Sequence, residues 1–336
     1  MKKKGLRAVR GAIVFPPMSV VAVNTRSSSG RPRVLAVADR PGWAMERKTQ
    51  NLTRVLADRF EIVTRFQAEV TEADLDGADL VLVYYWLELL KMRIPVPSLD
   101  RWSDRMLMGI CSHYELEGDR RDPGLDVLRR LPRAVFVNNR GLERAFAPLL
   151  GKTVYYTPNG VDSAFFRPHS AGNARRTGTL RVGWAGSLTN QGADHRGFHQ
   201  IIEPAVAAVP GASLHTAIRE QRWRTADEML DFYRELDVYV CASQSEGTPN
   251  PCLEAAACGV PLVTTPVGSM PELVRDGVNG FIVERHPETF AAKLALLRDS
   301  PGLAARLSVG ARETIQDWDW SVLANHYARM FRAVLG

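Results

Sequence analysis

The chain alternates short apolar runs with longer amphipathic stretches, and it does so along most of its 336 residues. The apolar runs are rich in β-branched residues, as in residues 33–38 and 238–241. Such runs, separated by segments of helical length, are typical of parallel strands that are covered by helices on both faces. The sequence therefore predicts an α/β fold with doubly wound sheets.

The alternation stops and restarts once, which predicts two domains of ordinary size. A polar connector, residues 170–179, separates two sets of predicted strands. The first set comprises residues 33–38, 60–64, 80–85, 106–111, 134–137 and 153–156, and the second comprises residues 180–185, 213–217, 238–241, 261–264 and 280–283. A final helix is predicted over residues 321–335, with apolar side chains at Leu323, Tyr327, Met330, Phe331 and Val334.

The net charge of +6 is concentrated at the N-terminus. Residues 1–32 contain seven lysines and arginines and no acidic residue, so the rest of the chain has a net charge of −1. Charge alone therefore does not indicate a general nucleic-acid-binding surface, although a local basic patch, or a nucleic acid tethered by the basic N-terminus, is left open. The polar segment 24–32 predicts a flexible leader, whose cations favour weak association with an anionic membrane.

The sequence favours a reducing, cytoplasmic location. The four cysteines lie in apolar segments and lack the Cys-x-x-Cys spacing of zinc and redox sites. No apolar run reaches the roughly eighteen residues that suit a membrane-spanning helix. The N-terminus begins like a secretory signal, but Pro16 and Pro17 interrupt its apolar stretch. We expect a cytoplasmic protein that is peripheral to the inner face of the membrane where the leader binds lipid.

A short helix is predicted after one strand of the second set. Asn250 suits its N-cap, Pro251 suits its first position, and an apolar stretch follows as far as Gly259. The free N–H groups and the positive dipole end of such a helix favour an anionic oxygen. Glu246 precedes the helix, and Glu254 is expected in its first turn. This arrangement predicts a site for a diphosphate.

Seven residues separate Glu246 from Glu254, and the segment around them reads EGTPNPCLEAAACGVPLV. This segment resembles the signature of the group 1, retaining nucleotide-sugar glycosyltransferases, which have the GT-B fold. The resemblance implies that Glu246 lies against the donor sugar and that Glu254 binds the ribose hydroxyls. Considered alone, both residues are ordinary, since a Glu near a helix start is favoured by the dipole and Ser-Glu-Gly-Thr is a common loop sequence.

The resemblance also implies the domain organisation. Two Rossmann-like domains would face each other across a cleft, with a C-terminal helix that crosses back onto the first domain. The expected segments are a basic leader (1–32), an acceptor-side domain (33–168), a nucleotide-sugar donor domain (169–320) and the crossover helix (321–336).

Further site residues follow from the same resemblance. Gly186 and Ser187 end the first strand of the second domain, where the family usually has Gly-Arg, and Arg196 stands where it has Lys. Ser187 departs from the family, and Arg196 is either a diphosphate ligand or a solvated loop cation. His113 resembles the family's His on the acceptor side of the sugar, or is an ordinary polar residue after a strand. The loop residues expected to contact the donor are Gly42, Gly247, Thr248, Asn250, Cys252 and Leu253.

These implications predict a hexosyltransferase that moves a sugar from a nucleotide-diphosphate donor to an acceptor hydroxyl with retention of configuration. The resemblance implies neither a metal nor another cofactor. The expected acceptor is a glycan, a lipid-linked glycan or another hydroxyl compound, in polysaccharide or glycoconjugate biosynthesis. The alternatives are a nucleotide-sugar epimerase of the same fold and a catalytically inactive nucleotide-sugar-binding protein, which Ser187 favours.

Overall fold

The computed structural model describes residues 30–169, 179–189 and 192–336. Most of the predicted leader (1–29) and of the predicted connector (170–178) lies outside these residues. The described residues form eleven strands: β1 Arg33–Ala38, β2 Glu61–Phe66, β3 Leu80–Val83, β4 Met106–Ile110, β5 Ala134–Val137, β6 Val154–Tyr156, β7 Leu180–Gly186, β8 Ala212–Ile218, β9 Val238–Cys241, β10 Leu262–Thr264 and β11 Gly280–Ile282. Each predicted strand is confirmed, with boundaries that differ by up to two residues.

Helices connect and cover the strands. The α-helices are α1 Ala44–Val55, α2 Glu72–Asp76, α3 Trp86–Leu89, α4 Arg121–Arg130, α5 Arg140–Leu150, α6 Ala193–Arg196, α7 Glu203–Ala207, α8 Ala226–Arg234, α9 Asn250–Ala257, α10 Met270–Leu273, α11 Pro287–Asp299, α12 Pro301–Thr314 and α13 Trp320–Leu335. Helices of the 3₁₀ type cover Gln67–Glu69, Val96–Arg105, His113–Leu116, Gly118–Arg120 and Ile315–Trp318, and Phe198–Ile202 forms a π-helical turn. No helix within the described parts of the chain combines the length and apolar character needed to span a membrane.

The first sheet has six parallel strands in the order β2-β1-β3-β4-β5-β6. Side chains alternate across a strand, so Val34 and Ala36 enter one apolar cluster while Leu35 and Val37 enter another on the opposite face. Both faces are therefore buried, as the continuous apolar runs predict.

The second sheet has five parallel strands in the order β11-β10-β9-β7-β8. It too lies between two clusters: Val238 and Val240 enter one, and Tyr239 and Cys241 enter the other. The predicted α/β architecture of two doubly wound domains is confirmed.

Helix α13 returns to the first domain. Its Tyr327 and Phe331 are fully buried among first-sheet residues, with the Phe331 ring 5.2 Å from Phe60 and the Tyr327 ring 6.0 Å from Phe136. The Val161 amide donates to the Trp318 carbonyl at 3.0 Å, so the two chain segments that cross between the domains lie side by side. The predicted crossover helix is confirmed.

Candidate active site between the two domains

A cleft of about 560 Å³ lies between the domains, at the carboxyl ends of both sheets. Ligands of open parallel sheets bind at this edge, because polar loop residues follow the strands there. In the first domain the lining residues include Asp39 after β1 and Ser112 after β4. In the second domain they include Arg219 after β8 and Ser243 after β9.

Glu246 lies in this cleft, in the loop between β9 and α9. Its Oε1 accepts a hydrogen bond from Ser243 Oγ at 2.8 Å and forms an ion pair with the guanidinium of Arg196. The Arg196 side chain is 19% exposed, and burial lowers the pKa of Arg196. Sequence reasoning selected both residues, and the structure places them in direct contact.

Glu254 is the second predicted carboxylate, and it connects the two domains. Its Oε2 accepts a hydrogen bond from Tyr233 at 2.7 Å, and its Oε1 lies 3.8 Å from Arg47 on α1 of the first domain. Burial raises the pKa of Glu254, while Arg47 and Tyr233 oppose the shift. The expectation that Glu254 lies in the first turn was wrong: α9 begins one residue earlier than predicted, at Asn250, so Glu254 follows the first turn.

The start of α9 differs from the prediction. Asn250 is the first helical residue and makes no cap; its Oδ1 accepts from Asn159 Nδ2 at 3.3 Å. Pro251 has no N–H, and the Cys252 N–H donates to the Pro249 carbonyl at 2.9 Å. Two of the first-turn donors expected for a diphosphate are therefore absent or occupied, and the helix dipole remains.

The end of β7 holds a carboxylate where the resemblance implies a cation. The Ser187 hydroxyl donates to Glu220, which also accepts from the Leu188 amide at 3.1 Å and from Thr189 Oγ1 at 2.8 Å. Burial raises the pKa of Glu220, but these hydrogen bonds outweigh it and lower the pKa to about 2. Ser187 and Gly186 line the cleft, whereas Glu220, which Ser187 contacts, is not among the lining residues.

Gly247 and Thr248 lie where the two domains touch. A Cβ at Gly247 would come 1.5 Å from the Cys111 carbonyl oxygen, and the Gly247 carbonyl accepts from Asn139 Nδ2 at 2.9 Å. Thr248 also lines the cleft, and its buried hydroxyl has no hydrogen-bond partner among the residues described. Only glycine allows this close approach of the second domain to the first.

Three predicted site residues, His113, Gly42 and Leu253, do not line the main cleft. The His113 ring packs against Phe146 at 5.6 Å and is not among the lining residues, whereas its neighbours Ser112 and Tyr114 are. Gly42 has a φ of +74° and lies beside the lining residue Trp43. Cys252 and Leu253 are buried in α9; Cys252 lines the main cleft, and Leu253 lines a smaller cavity of about 190 Å³ next to it.

Sequence reasoning missed a group of arginines and tryptophans at the cleft. The guanidinium of Arg40 lies 3.9 Å from the Trp43 ring, and Arg219 lies 4.0 Å from Trp43 and 4.6 Å from Trp223. Burial lowers the pKa of Arg219, and the nearby Arg47 contributes to this effect. The sequence does contain a pattern that could have revealed this group: an Arg and a Trp lie in the loop after β1, and another Arg and Trp lie in the loop after β8. The cation–π contact between Arg219 and Trp43 connects the second domain to the loop after β1 of the first domain.

We found no group of three or more His, Cys, Asp or Glu side chains in the described part of the protein that could hold a metal ion. The cations that line the cleft are arginines and one lysine: Arg40, Arg47, Lys91, Arg196, Arg219, Arg222 and Arg224.

Residues 200–299 match the family model described as "Glycosyl transferases group 1". This match covers α7 through α11, including β9, the Glu246 loop and α9. Similar curated proteins are D-inositol 3-phosphate glycosyltransferases. That of Streptomyces griseus is 36% identical over 110 residues, 32% of this chain and 23% of the relative. That of Acidothermus cellulolyticus is 28% identical over 307 residues, 76% of this chain and 67% of the relative.

In the first three of these alignments, the chain spans about a quarter of the length of the curated relatives. Among solved structures, Anabaena Alr3699/HepE in complex with UDP and glucose superimposes with a TM-score of 0.70 at 15% identity, over 89% of this chain and 99% of that chain. Sucrose-phosphate synthase from Thermosynechococcus elongatus superimposes with a TM-score of 0.65 at 15% identity, over 90% of this chain and 99% of that chain. These neighbours establish the GT-B fold, and with the family model they support a group 1 glycosyltransferase.

Proposed function

We propose that the chain is a retaining glycosyltransferase that transfers a hexosyl group from a nucleoside-diphosphate sugar to an acceptor hydroxyl. One observation carries the proposal. On the second-domain side of the cleft, Arg196 Nε and Thr248 Oγ1 are buried polar atoms without a hydrogen-bond partner in the described chain, beside Glu246. Leaving such donors unpaired costs about 1–3 kcal/mol each, and a diphosphate brings the acceptor oxygens that would pair them.

The comparisons support the identity of the donor. Crystal structures of Anabaena Alr3699/HepE contain UDP and UDP-glucose. We propose a donor of the same class here, with its diphosphate at Arg196 and the start of α9. The ribose would lie at Glu254, whose oxygens face Tyr233 and Arg47.

The residues of this site can support a transfer without a covalent enzyme intermediate. The bond between the sugar's anomeric carbon and the phosphate oxygen breaks, and a bond from that carbon to the acceptor oxygen forms. The acceptor's proton passes to the departing phosphate. Arg196 and the dipole of α9 stabilise the negative charge that develops there, and Glu246 positions the sugar.

Substitution of the two glutamates tests the proposal. We expect Glu246→Ala to lower kcat by about 10²-fold or more, because Glu246 lies at the reacting sugar. We expect Glu254→Ala to raise the donor KM with a smaller change in kcat. The substitution removes a contact to the ribose that has the same strength in the ground state and in the transition state. The assay measures nucleoside-diphosphate release with donor and acceptor, and NMR of the product gives the anomeric configuration.

Glu284→Ala, at an exposed position of the same domain, is the matched control. Equal and small effects of both cleft substitutions would contradict the assigned roles. Conversion of the donor sugar without any acceptor would indicate the epimerase. Tight donor binding with neither reaction would indicate an inactive binding protein, for which Glu220 beside Ser187 is the supporting observation.

We further propose that the transfer needs no metal ion, because Arg196 and α9 place positive charge where the diphosphate would lie. Activity is expected to be unchanged after treatment with EDTA. The matching measurement adds back Mg²⁺ or Mn²⁺ to treated enzyme. Loss of activity on chelation, with recovery on either ion, would contradict this part of the proposal.

A further inference from the structure

The first-domain wall of the cleft is built from one residue after each of four adjacent strands. Gln67 follows β2, Asp39 follows β1, Glu88 follows β3 and Glu115 follows β4, and these strands are neighbours in the sheet in that order. All four residues line the cleft. The topology thus places an amide and three carboxyl groups in a row that faces the second domain.

This row presents hydrogen-bond acceptors that lack donors. Within the described parts of the chain, Asp39 Oδ1, Gln67 Oε1, Glu115 Oε2 and both Glu88 carboxyl oxygens are buried without a hydrogen-bond partner. Glu88 is only 3% exposed and Glu115 only 1%. Buried polar atoms in native proteins are nearly always paired, so a set of five on one wall points to a ligand that supplies the donors.

Backbone hydrogen bonds fix one of the carboxyl groups of the wall. Glu115 Oε1 accepts from the Cys111 and Ser112 amides at 2.7 and 3.0 Å, which leaves Oε2 directed elsewhere. Both Glu88 oxygens lack a hydrogen-bond partner within the described residues. Backbone hydrogen bonds therefore hold Glu115 in place, whereas only burial restricts Glu88.

The unpaired oxygen atoms of the wall favour a ligand that donates hydrogen bonds over an anionic one. Burial raises the pKa of Glu88, Glu115 and Asp39, and Asp39 raises that of Glu88 further. Burial therefore disfavours the charged form of each of these carboxyl groups, which weakens the attraction of the wall for an ammonium group. The cations nearby are Lys91, which is exposed, Arg40, which lies over Trp43, and the buried Lys48, whose Nζ lies 4.9 Å from the Tyr84 ring and lowers the pKa of Glu115. A phosphate at this wall would meet acceptor oxygens, whereas hydroxyl groups would donate to them.

On the basis of the proposed function, we propose that this wall binds the acceptor and selects an unphosphorylated polyol, such as a sugar or cyclitol, through hydroxyl groups that donate to Glu88 and Glu115. One hydroxyl of this polyol attacks the donor's anomeric carbon. Its proton goes to the departing phosphate oxygen, so the reaction consumes one hydroxyl and releases one nucleoside diphosphate.

The test compares acceptors and variants. Neutral sugars and cyclitols, their monophosphates and the corresponding amino sugars are offered with a nucleoside-diphosphate sugar to wild type, Glu88→Leu and Gln67→Leu, with Glu117→Leu at an exposed first-domain position as control. We expect neutral acceptors to have the highest kcat/KM. We expect Glu88→Leu to raise their KM about tenfold or more, and Gln67→Leu to raise it less, with unchanged donor affinity.

A preference for monophosphates or for amino sugars would overturn the inference, as would an unchanged acceptor KM in both cleft variants. Gln67 is partly exposed, so Gln67→Leu keeps the test decisive where Glu88→Leu does not fold. Donor affinity, measured by calorimetry without acceptor, separates the two hypotheses. Failure to bind any nucleotide sugar counts against the proposed function, whereas normal donor binding with the wrong acceptor preference counts against this inference alone.

Discussion

At the scale of single residues, the proposed donor site contains an ion pair. Arg196 and Glu246 neutralise each other, while Arg196 Nε has no hydrogen-bond partner among the described residues. A bound diphosphate would give Arg196 a stronger acceptor and free Glu246 to contact the sugar. Under the proposed function, donor binding would thus replace the Arg196–Glu246 contact by one contact to the phosphate and another to the sugar.

Other residues of the cleft could not be predicted from the sequence, because only the folded sheets bring them together. Glu220 lies far along the chain from Ser187, and the two meet only because β7 and β8 are neighbours. Asp39, Glu88 and Glu115 each look like an ordinary loop acid, and only the sheet order brings them into one row. The seven-residue spacing of Glu246 and Glu254, in contrast, is local and could be recognised directly.

Gly247 gives the sharpest prediction at this scale. A methyl group there would collide with the Cys111 carbonyl and with Asn138, so Gly247→Ala must push the domains apart. A displacement of about 1 Å at a reacting centre can lower the rate about 10²-fold. We therefore expect Gly247→Ala to fold but to lose about this much kcat. Circular dichroism and turnover measure the two effects.

Gly302→Ala is the control, because a Cβ there meets only the end of the Arg306 side chain at 3.9 Å. We expect this variant to keep full activity. Full activity of Gly247→Ala would show that the domains need not approach each other as closely as they do here.

At the scale of helices and strands, prediction succeeded where burial dictates the sequence. Strands β5 and β9 match their predicted ranges, because both faces are covered and every residue is apolar. The edge strand β2 was predicted over residues 60–64 but covers Glu61–Phe66, since Arg65 and Phe66 continue the backbone pairing with β1. Backbone pairing at the edge of a sheet does not require apolar side chains, so the sequence does not show where such a strand ends.

Helix α13 provides the prediction at this scale. Tyr327 is fully buried against Phe136 and Phe331, and its hydroxyl donates to the Thr157 carbonyl at 3.3 Å. We expect Tyr327→Ala to lower the free energy of unfolding by about 3–5 kcal/mol, since the substitution leaves a large cavity in the first-domain core.

Chemical denaturation measures this loss, and Val322→Ala on the exposed face of the same helix should change stability by less than about 0.5 kcal/mol. Equal effects of the two substitutions would mean that the helix does not contribute to the first-domain core.

At the scale of the whole molecule, the two walls of the cleft have opposite hydrogen-bonding character. Among the described residues, the second-domain wall has the unpaired donors Arg196 Nε and Thr248 Oγ1, and the first-domain wall has unpaired acceptors such as the Glu88 oxygens. A phosphate fits the former and hydroxyl groups fit the latter. The GT-B arrangement could be predicted from the sequence, but this division between the walls emerges only when two distant parts of the chain face each other.

The central claim is that a nucleoside-diphosphate sugar binds in this cleft, and calorimetric titration tests it most directly. UDP-, GDP-, ADP- and dTDP-sugars are titrated into the wild type and into the Glu254→Ala and Arg196→Ala variants. We predict saturable binding of at least one donor to the wild type, weakened about tenfold or more by each substitution, since each removes a hydrogen bond to a charged group. Absence of binding by every donor, or binding of equal strength in all three proteins, would contradict the account.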